Sequence, residues 1–203
     1  MITFLQIFLQ QDYCGIIMIN KKKIIFVIGP NKSGTISLHN FFKQNNLNSV
    51  HWKNGTLALK ILSNISAYLD PLNDLKQYDC FLDLYFITDG LYISPLALID
   101  KIIQKYPDEI YILNTRNLDE WIKSRDKHGH GSLNERLNKT FLNRYDSHKE
   151  FNGYKQIANY NLKNFHVFDL DKKNKFIDLS KFLISKGIKI KNTKEVHLHK
   201  TTW

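Results

Sequence analysis

The segment Gly29-Pro30-Asn31-Lys32-Ser33-Gly34-Thr35 has the residue types and spacing to do chemistry. Where a loop of this kind joins a strand to a helix, successive backbone N–H groups and the positive end of the helix dipole converge on one point. That point is an anion cradle, and phosphate is its natural occupant. The lysine position narrows the reading. A Walker A loop carries Lys directly after the second glycine and before Ser/Thr, whereas Lys32 precedes Gly34 and the magnesium-holding Ser/Thr relation is not reproduced. A loop that holds phosphate without an obligatory metal is therefore favoured over a nucleotide triphosphatase. The histidine pairs His128-Gly129-His130 and His197-Leu198-His199 have neither the spacing of a helix-borne zinc pair nor an accompanying cysteine, so no metal site is expected. They read instead as lining a basic acceptor pocket or contacting phosphate.

The elements flanking the loop suit that role. Lys23 to Ile28 is a short continuous apolar run rich in β-branched residues, the pattern of a buried parallel strand. Thr35 to Asn45 places Ile36, Leu38, Phe41 and Phe42 at near-helical spacing. Further along, strands are expected over Asn48–Trp52, Tyr78–Phe86 (Cys80, Leu82 and Leu84 on one side), Glu109–Asn114 and Phe165–Leu170. Helices are expected over Thr56–Tyr68, from Ser94-Pro95 to Pro107 and around Trp121 and Ile122. Residues 132 to 163 read as mainly helical, and Phe176–Ser185 as a last helix with Gly187 as its C-cap. Strands alternating with helices favour βαβ crossovers: an α/β three-layer sandwich around a central parallel sheet.

Composition bounds the function. The chain has 203 residues and only two cysteines, Cys14 and Cys80, in no metal-binding spacing, which excludes a disulfide scaffold and points to reduced thiols in a cytoplasmic compartment. No apolar run approaches the roughly 18 residues of a membrane span. The apolar opening lacks the basic flank and cleavage site of a signal peptide. Residues 1–17 are read as an extension upstream of Met18, ahead of a single domain over residues 18–203. The formal charge of +10 would draw anionic ligands, but the lysines are spread along an Ile-, Asn- and Lys-rich chain, so the charge alone argues weakly for nucleic acid.

The stretch from Phe26 to Thr35 resembles the 5′-phosphosulfate loop of the sulfotransferase family, whose common form is a Lys-Ser-Gly-Thr segment after the first strand. That family adds an Arg at the end of a later strand and a Ser in the following helix for the second phosphate of its donor, and Arg116 and Ser124 stand in that relation. An Arg fork suits a phosphate, and about two helical turns return a serine hydroxyl towards the same anion; Lys123 and Arg125 would add positive potential. The resemblance runs from about Lys22 through Ser49–Gly55, Tyr78–Asp83 and Tyr106-Pro107 to His197–Thr201.

What the resemblance implies is a P-loop nucleoside triphosphate hydrolase-like fold. It also implies 3′-phosphoadenosine-5′-phosphosulfate (PAPS) as donor, held by Asn31, Lys32, Ser33, Gly34, Thr35, Ile36, Arg116 and Ser124, with no metal required. Lys32 would act in catalysis by meeting the bridging oxygen. His51 stands where several carbohydrate sulfotransferases place a catalytic carboxylate, and a histidine suits proton removal near neutral pH. Asp83 stands at the strand where others place a catalytic histidine, so His51 is expected as base, with Asp83 as orienter or alternative base. Trp52, Trp121 and Trp203 are candidates to stack on adenine, and Lys200 and Thr201 to close over the nucleotide. The acceptor would be a hydroxyl or amine compound such as a carbohydrate. The competing readings are a small-molecule kinase or P-loop NTPase, a basic nucleic-acid-binding protein, and a degenerate fold that keeps only the phosphate cradle.

Overall fold

The computed structural model describes residues 23–194. The expected extension over residues 1–17, Cys14, the His197–His199 pair, Lys200, Thr201 and Trp203 lie outside the described residues. Five short strands form the central sheet: β1 (Ile25–Val27), β2 (Ser49–His51), β3 (Cys80–Leu82), β6 (Ile110–Thr115) and β7 (Phe165–Asp169). Every pairing in it is parallel, in the order β2-β3-β1-β6-β7. A separate antiparallel hairpin, β4 (Phe86–Thr88) with β5 (Leu91–Ile93), leaves the chain between β3 and β6.

The helices that connect these strands are α1 (Thr35–Gln44), α2 (Thr56–Ser66), α3 (Pro95–Lys105), α4 (Leu118–Asp126), α5 (Ser132–Thr140), α6 (Ser147–Gln156) and α7 (Lys175–Ser185). The period-two pleat of the strands explains how they divide into layers. Ile25, Val27, Cys80, Leu82, Ile110 and Ile112 point to one face and pack with Leu38, Phe41 and Phe42 of α1 and Phe176, Leu179 and Leu183 of α7. Phe26, Ile28, Phe81, Tyr111 and Leu113 point to the other, against α2, α3 and Tyr154 of α6. Because both faces are covered, β1 is apolar at every position, and the result is the expected α/β sandwich with a central parallel sheet. Phe26 stacks between Phe81 and Tyr111, each centroid 5.5 Å away, and truncating a ring in such a site costs about 3–5 kcal/mol.

The sequence reading needs correction in two places. The single strand expected over Tyr78–Phe86 is broken: Asp83 takes a left-handed backbone (φ 55), which ends β3 and turns Leu84 onto the face opposite Cys80 and Leu82. The β4–β5 hairpin was not foreseen, although its two-residue connection, Asp89-Gly90, is a strong hairpin dipeptide and Gly90 supplies the positive φ of 89°. Ser94 occupies the N-cap position of α3 and Pro95 its first turn, as expected. The end of α7 is as expected: Gly187 (φ 84) follows it, and Ile188 N–H returns to Leu183 O at 3.0 Å, as in a Schellman turn.

Candidate active site

All the candidate residues on described elements gather at the carboxyl edge of the sheet or on the helix following it, where open α/β sheets bind ligands. The loop after β1 is held from beneath by Asn114, a fully buried side chain near the end of β6. Its Oδ1 accepts from Gly29 N–H at 2.8 Å, and its Nδ2 donates to Pro30 O at 2.9 Å and Ser33 O at 3.3 Å. Gly29 must be glycine, since a Cβ there would lie 1.9 Å from the Asn114 carbonyl oxygen. Lys32 (φ 60) and Gly34 (φ 84) take left-handed conformations that turn the loop into α1, whose first-turn N–H groups have no carbonyl of their own helix to bond. A second brace comes from α4, where Trp121 donates from Nε1 to Asn31 O at 2.8 Å.

Arg116 follows β6 directly. Asn117 caps the next helix, its Oδ1 accepting from Asp119 N–H at 2.9 Å and Glu120 N–H at 3.2 Å. The cap fixes where Arg116 leaves the strand, and its guanidinium turns towards the loop: Nη1 donates to Lys32 O at 3.3 Å. Its Nε is buried without a partner, as are Ser33 Oγ and Asn31 Oδ1. Unpaired buried polar atoms are costly, and these three, on the loop after β1 and at the end of β6, suit a polar ligand that would satisfy them. Ser124 lies partly buried on α4.

The proton-transfer candidates meet on the other side of the loop. His51, at the end of β2, places Nε2 3.1 Å from Thr35 Oγ1 and 3.4 Å from Asp83 Oδ2. Burial, with the charge of His39 adding to it, lowers the His51 pKa to about 4. Burial raises that of Asp83 to about 7 against the opposing pull of Lys32. Asp83 Oδ2 faces His51, and Oδ1 is buried without a hydrogen-bond partner. Burial also lowers the Lys32 pKa, with Asp83 opposing and Arg116 reinforcing the shift.

The structure thus brings Lys32, Ser33, Gly34, Thr35, His51, Asp83 and Arg116 together around one loop, with Ile36 exposed on the first turn of α1. Arg125 points inwards to Glu150 at 2.9 Å and Lys123 pairs with Glu120 at 3.0 Å. Trp121 is 0% exposed and packed on Phe151, so it cannot stack on a base, while Trp52 is 44% exposed. Sequence reading missed Asn114, whose signal was an amide inside an otherwise apolar strand. It also missed that His128 lies 3.2 Å from Lys32 Nζ through Nδ1. Burial and the charges of Lys32 and Arg125 lower the His128 pKa, leaving its ring neutral and able to accept from the ammonium.

A parallel sheet flanked by helices, with a glycine–lysine loop after its first strand, defines a P-loop-like α/β protein. Residues 24–178 match the family model of the sulfotransferase domain, and the chain belongs to that family. No curated protein matches the sequence. Among the described residues, no helix is long and apolar enough to cross a membrane, and no group of three or more His, Cys, Asp or Glu side chains could hold a metal ion.

Proposed function

We propose that this sulfotransferase-family protein takes its sulfuryl group from PAPS and delivers it to a hydroxyl or amine on a small-molecule or carbohydrate acceptor. The observation that carries the reading is the bond from Arg116 Nη1 to Lys32 O, which seats a guanidinium fork against the outer wall of the anion cradle. A ligand with phosphates on both the 3′ and 5′ positions of one adenosine suits that pair of sites. The buried unpartnered Ser33 Oγ and Arg116 Nε support the fit.

Bound PAPS would supply an activated sulfuryl group on its 5′-phosphate. The chain's own residues would do the rest. The first-turn N–H groups of α1 and the Lys32 ammonium meet the negative charge that develops on the departing phosphate oxygen, in a site where the dipoles are already oriented. Asp83 takes the acceptor proton, since a carboxyl raised to about 7 is matched to that task near neutral pH. His51, neutral at that pH, holds Asp83 Oδ2 on one side and Thr35 Oγ1 on the other, linking the base to the first residue of α1. Arg116 and Ser124 bind the 3′-phosphate, and no metal takes part. A single domain over residues 18–203 and a cytoplasmic location belong to the same reading.

Titration calorimetry with adenosine 3′,5′-bisphosphate and with ATP tests it, repeated on Lys32→Ala and Arg116→Ala. The bisphosphate should bind more tightly than ATP and lose affinity in Arg116→Ala. Tighter ATP binding, or indifference to Arg116, would reject the site. Once an acceptor is in hand, Lys32→Ala should lower the rate by about 100-fold or more.

A further inference from the structure

Behind the site lies a polar cluster that the proposed chemistry does not use. The side chain of Glu150, on α6, receives Arg125 Nη1 from α4 at 2.9 Å and the hydroxyl of Tyr85 at 2.9 Å. The hydroxyls of Tyr92, on β5, and Tyr145 also donate to it, and Tyr85, its own proton on Glu150, accepts from the Tyr154 hydroxyl. The Arg125 and Glu150 side chains are 2% and 7% exposed, and the guanidinium lies over the rings of Trp121 and Tyr145. A buried ion pair is weak evidence for stability, because desolvation consumes most of the attraction. What such a network does well is fix the relative placement of the elements it joins.

Here the elements joined are informative. Arg125 is the neighbour of Ser124 on the helix that follows Arg116. Tyr85 stands two residues after Asp83, and its N–H donates to the Asp83 carbonyl at 2.8 Å. Asp83 itself has φ 55, a backbone conformation that a non-glycine residue keeps only where its surroundings hold it. Tyr85 is therefore fastened at both ends, by its hydroxyl to Glu150 and by its amide to the strained residue. We propose that the Tyr85–Glu150 link is a positioning device for Asp83, holding its carboxyl in the dry place between His51 and Lys32. Tyr85 and Glu150 are positioning residues and touch no reacting atom. The assignment rests on the reading of Asp83 as proton acceptor, but the link can be measured without turnover.

The test follows Asp83 directly, by NMR titration of protein labelled at the aspartate carboxyl carbon, with Asp83→Asn to assign the signal. The groups facing that carboxyl are Lys32 from the loop and His51 from β2. Two variants remove one hydroxyl each from Glu150 and keep the ring: Tyr85→Phe, which cuts the tie to Asp83, and Tyr145→Phe, which does not. In Tyr85→Phe the released loop admits water and the Asp83 midpoint should fall by about one unit towards the ordinary carboxylate range. In Tyr145→Phe it should stay in place. Glu150→Asp, which retracts the carboxylate but keeps a counter-charge for Arg125, should shift the midpoint in the same direction as Tyr85→Phe. Equal shifts in Tyr85→Phe and Tyr145→Phe, or none in either, overturn the proposal. Calorimetry with adenosine 3′,5′-bisphosphate on the same samples keeps the two readings apart: affinity should stay within about twofold of wild type in Tyr85→Phe. Failure of the unmodified protein to bind would sink the donor assignment, leaving the titration contrast to judge the link.

Discussion

Asn114→Ala is the most direct test of how the loop after β1 is held. The side chain is 0% exposed and makes three hydrogen bonds to the loop, at 2.8, 2.9 and 3.3 Å. Each is worth about 1 kcal/mol net, and stranding the Gly29 N–H and two carbonyls in a buried place adds to that, so the variant should lose roughly 3–5 kcal/mol. For a domain of this size the loss corresponds to a fall in Tm of about 10 °C. The freed loop must then be ordered by its ligand, and affinity for adenosine 3′,5′-bisphosphate should drop about tenfold or more. Urea unfolding and calorimetry on one preparation measure both. Asn114→Asp sharpens the comparison: a carboxylate can accept from Gly29 but cannot donate to Pro30 or Ser33, and it brings negative charge beneath the cradle, so ligand affinity should fall further than in the alanine variant. A loss of under about 1 kcal/mol with unchanged affinity would refute the idea that β6 holds the loop through this amide.

Other outcomes follow from the same geometry. His51 and Asp83 should act on stability in opposite directions. A carboxyl raised to about 7 loses its stabilising contribution as pH rises from 4 to 7, whereas a histidine lowered to about 4 loses its contribution as pH falls from 6.5 to 4. The two slopes, each at most about 1.4 kcal/mol per pH unit, nearly cancel in the wild type. Urea unfolding across pH should therefore show stability falling with pH in His51→Asn and rising with pH in Asp83→Asn; parallel curves would contradict the assigned shifts. Arg116→Lys keeps the charge and loses the fork, so binding of adenosine 3′,5′-bisphosphate should weaken about tenfold while binding of adenosine 5′-phosphate changes little. In Gly34→Ala the new Cβ would lie 2.9 Å from Leu170 Cδ1 at a φ of 84°, and lower thermal stability with weaker bisphosphate binding is expected.

Much of the frame was legible because it depends on local pattern. The run Ile25–Ile28 is apolar at every position because both faces of a central parallel strand are covered. The glycines at 29 and 34 mark positions where a side chain has no room or the backbone must turn. What failed to show is what depends on one residue's backbone. A left-handed Asp83 cannot be read from a window that still looks like an alternating strand, so the end of β3 and the side taken by Leu84 were misplaced. The Asp89-Gly90 hairpin carried a usable signal, masked by the longer apolar stretch around it.

Taken alone, the sequence determined the α/β class, the glycine–lysine loop after the first strand and the types of residue available to it, since periodicity and glycine placement act over a few neighbours. Tertiary structure decided which groups share the site. It set Asn114 under the loop, turned Arg116 towards Lys32, joined His51 to Asp83 and sent Arg125 inwards to Glu150. These pairings join residues far apart in the chain, and the burial that shifts their proton affinities exists only once the sheet and its helices have closed around them.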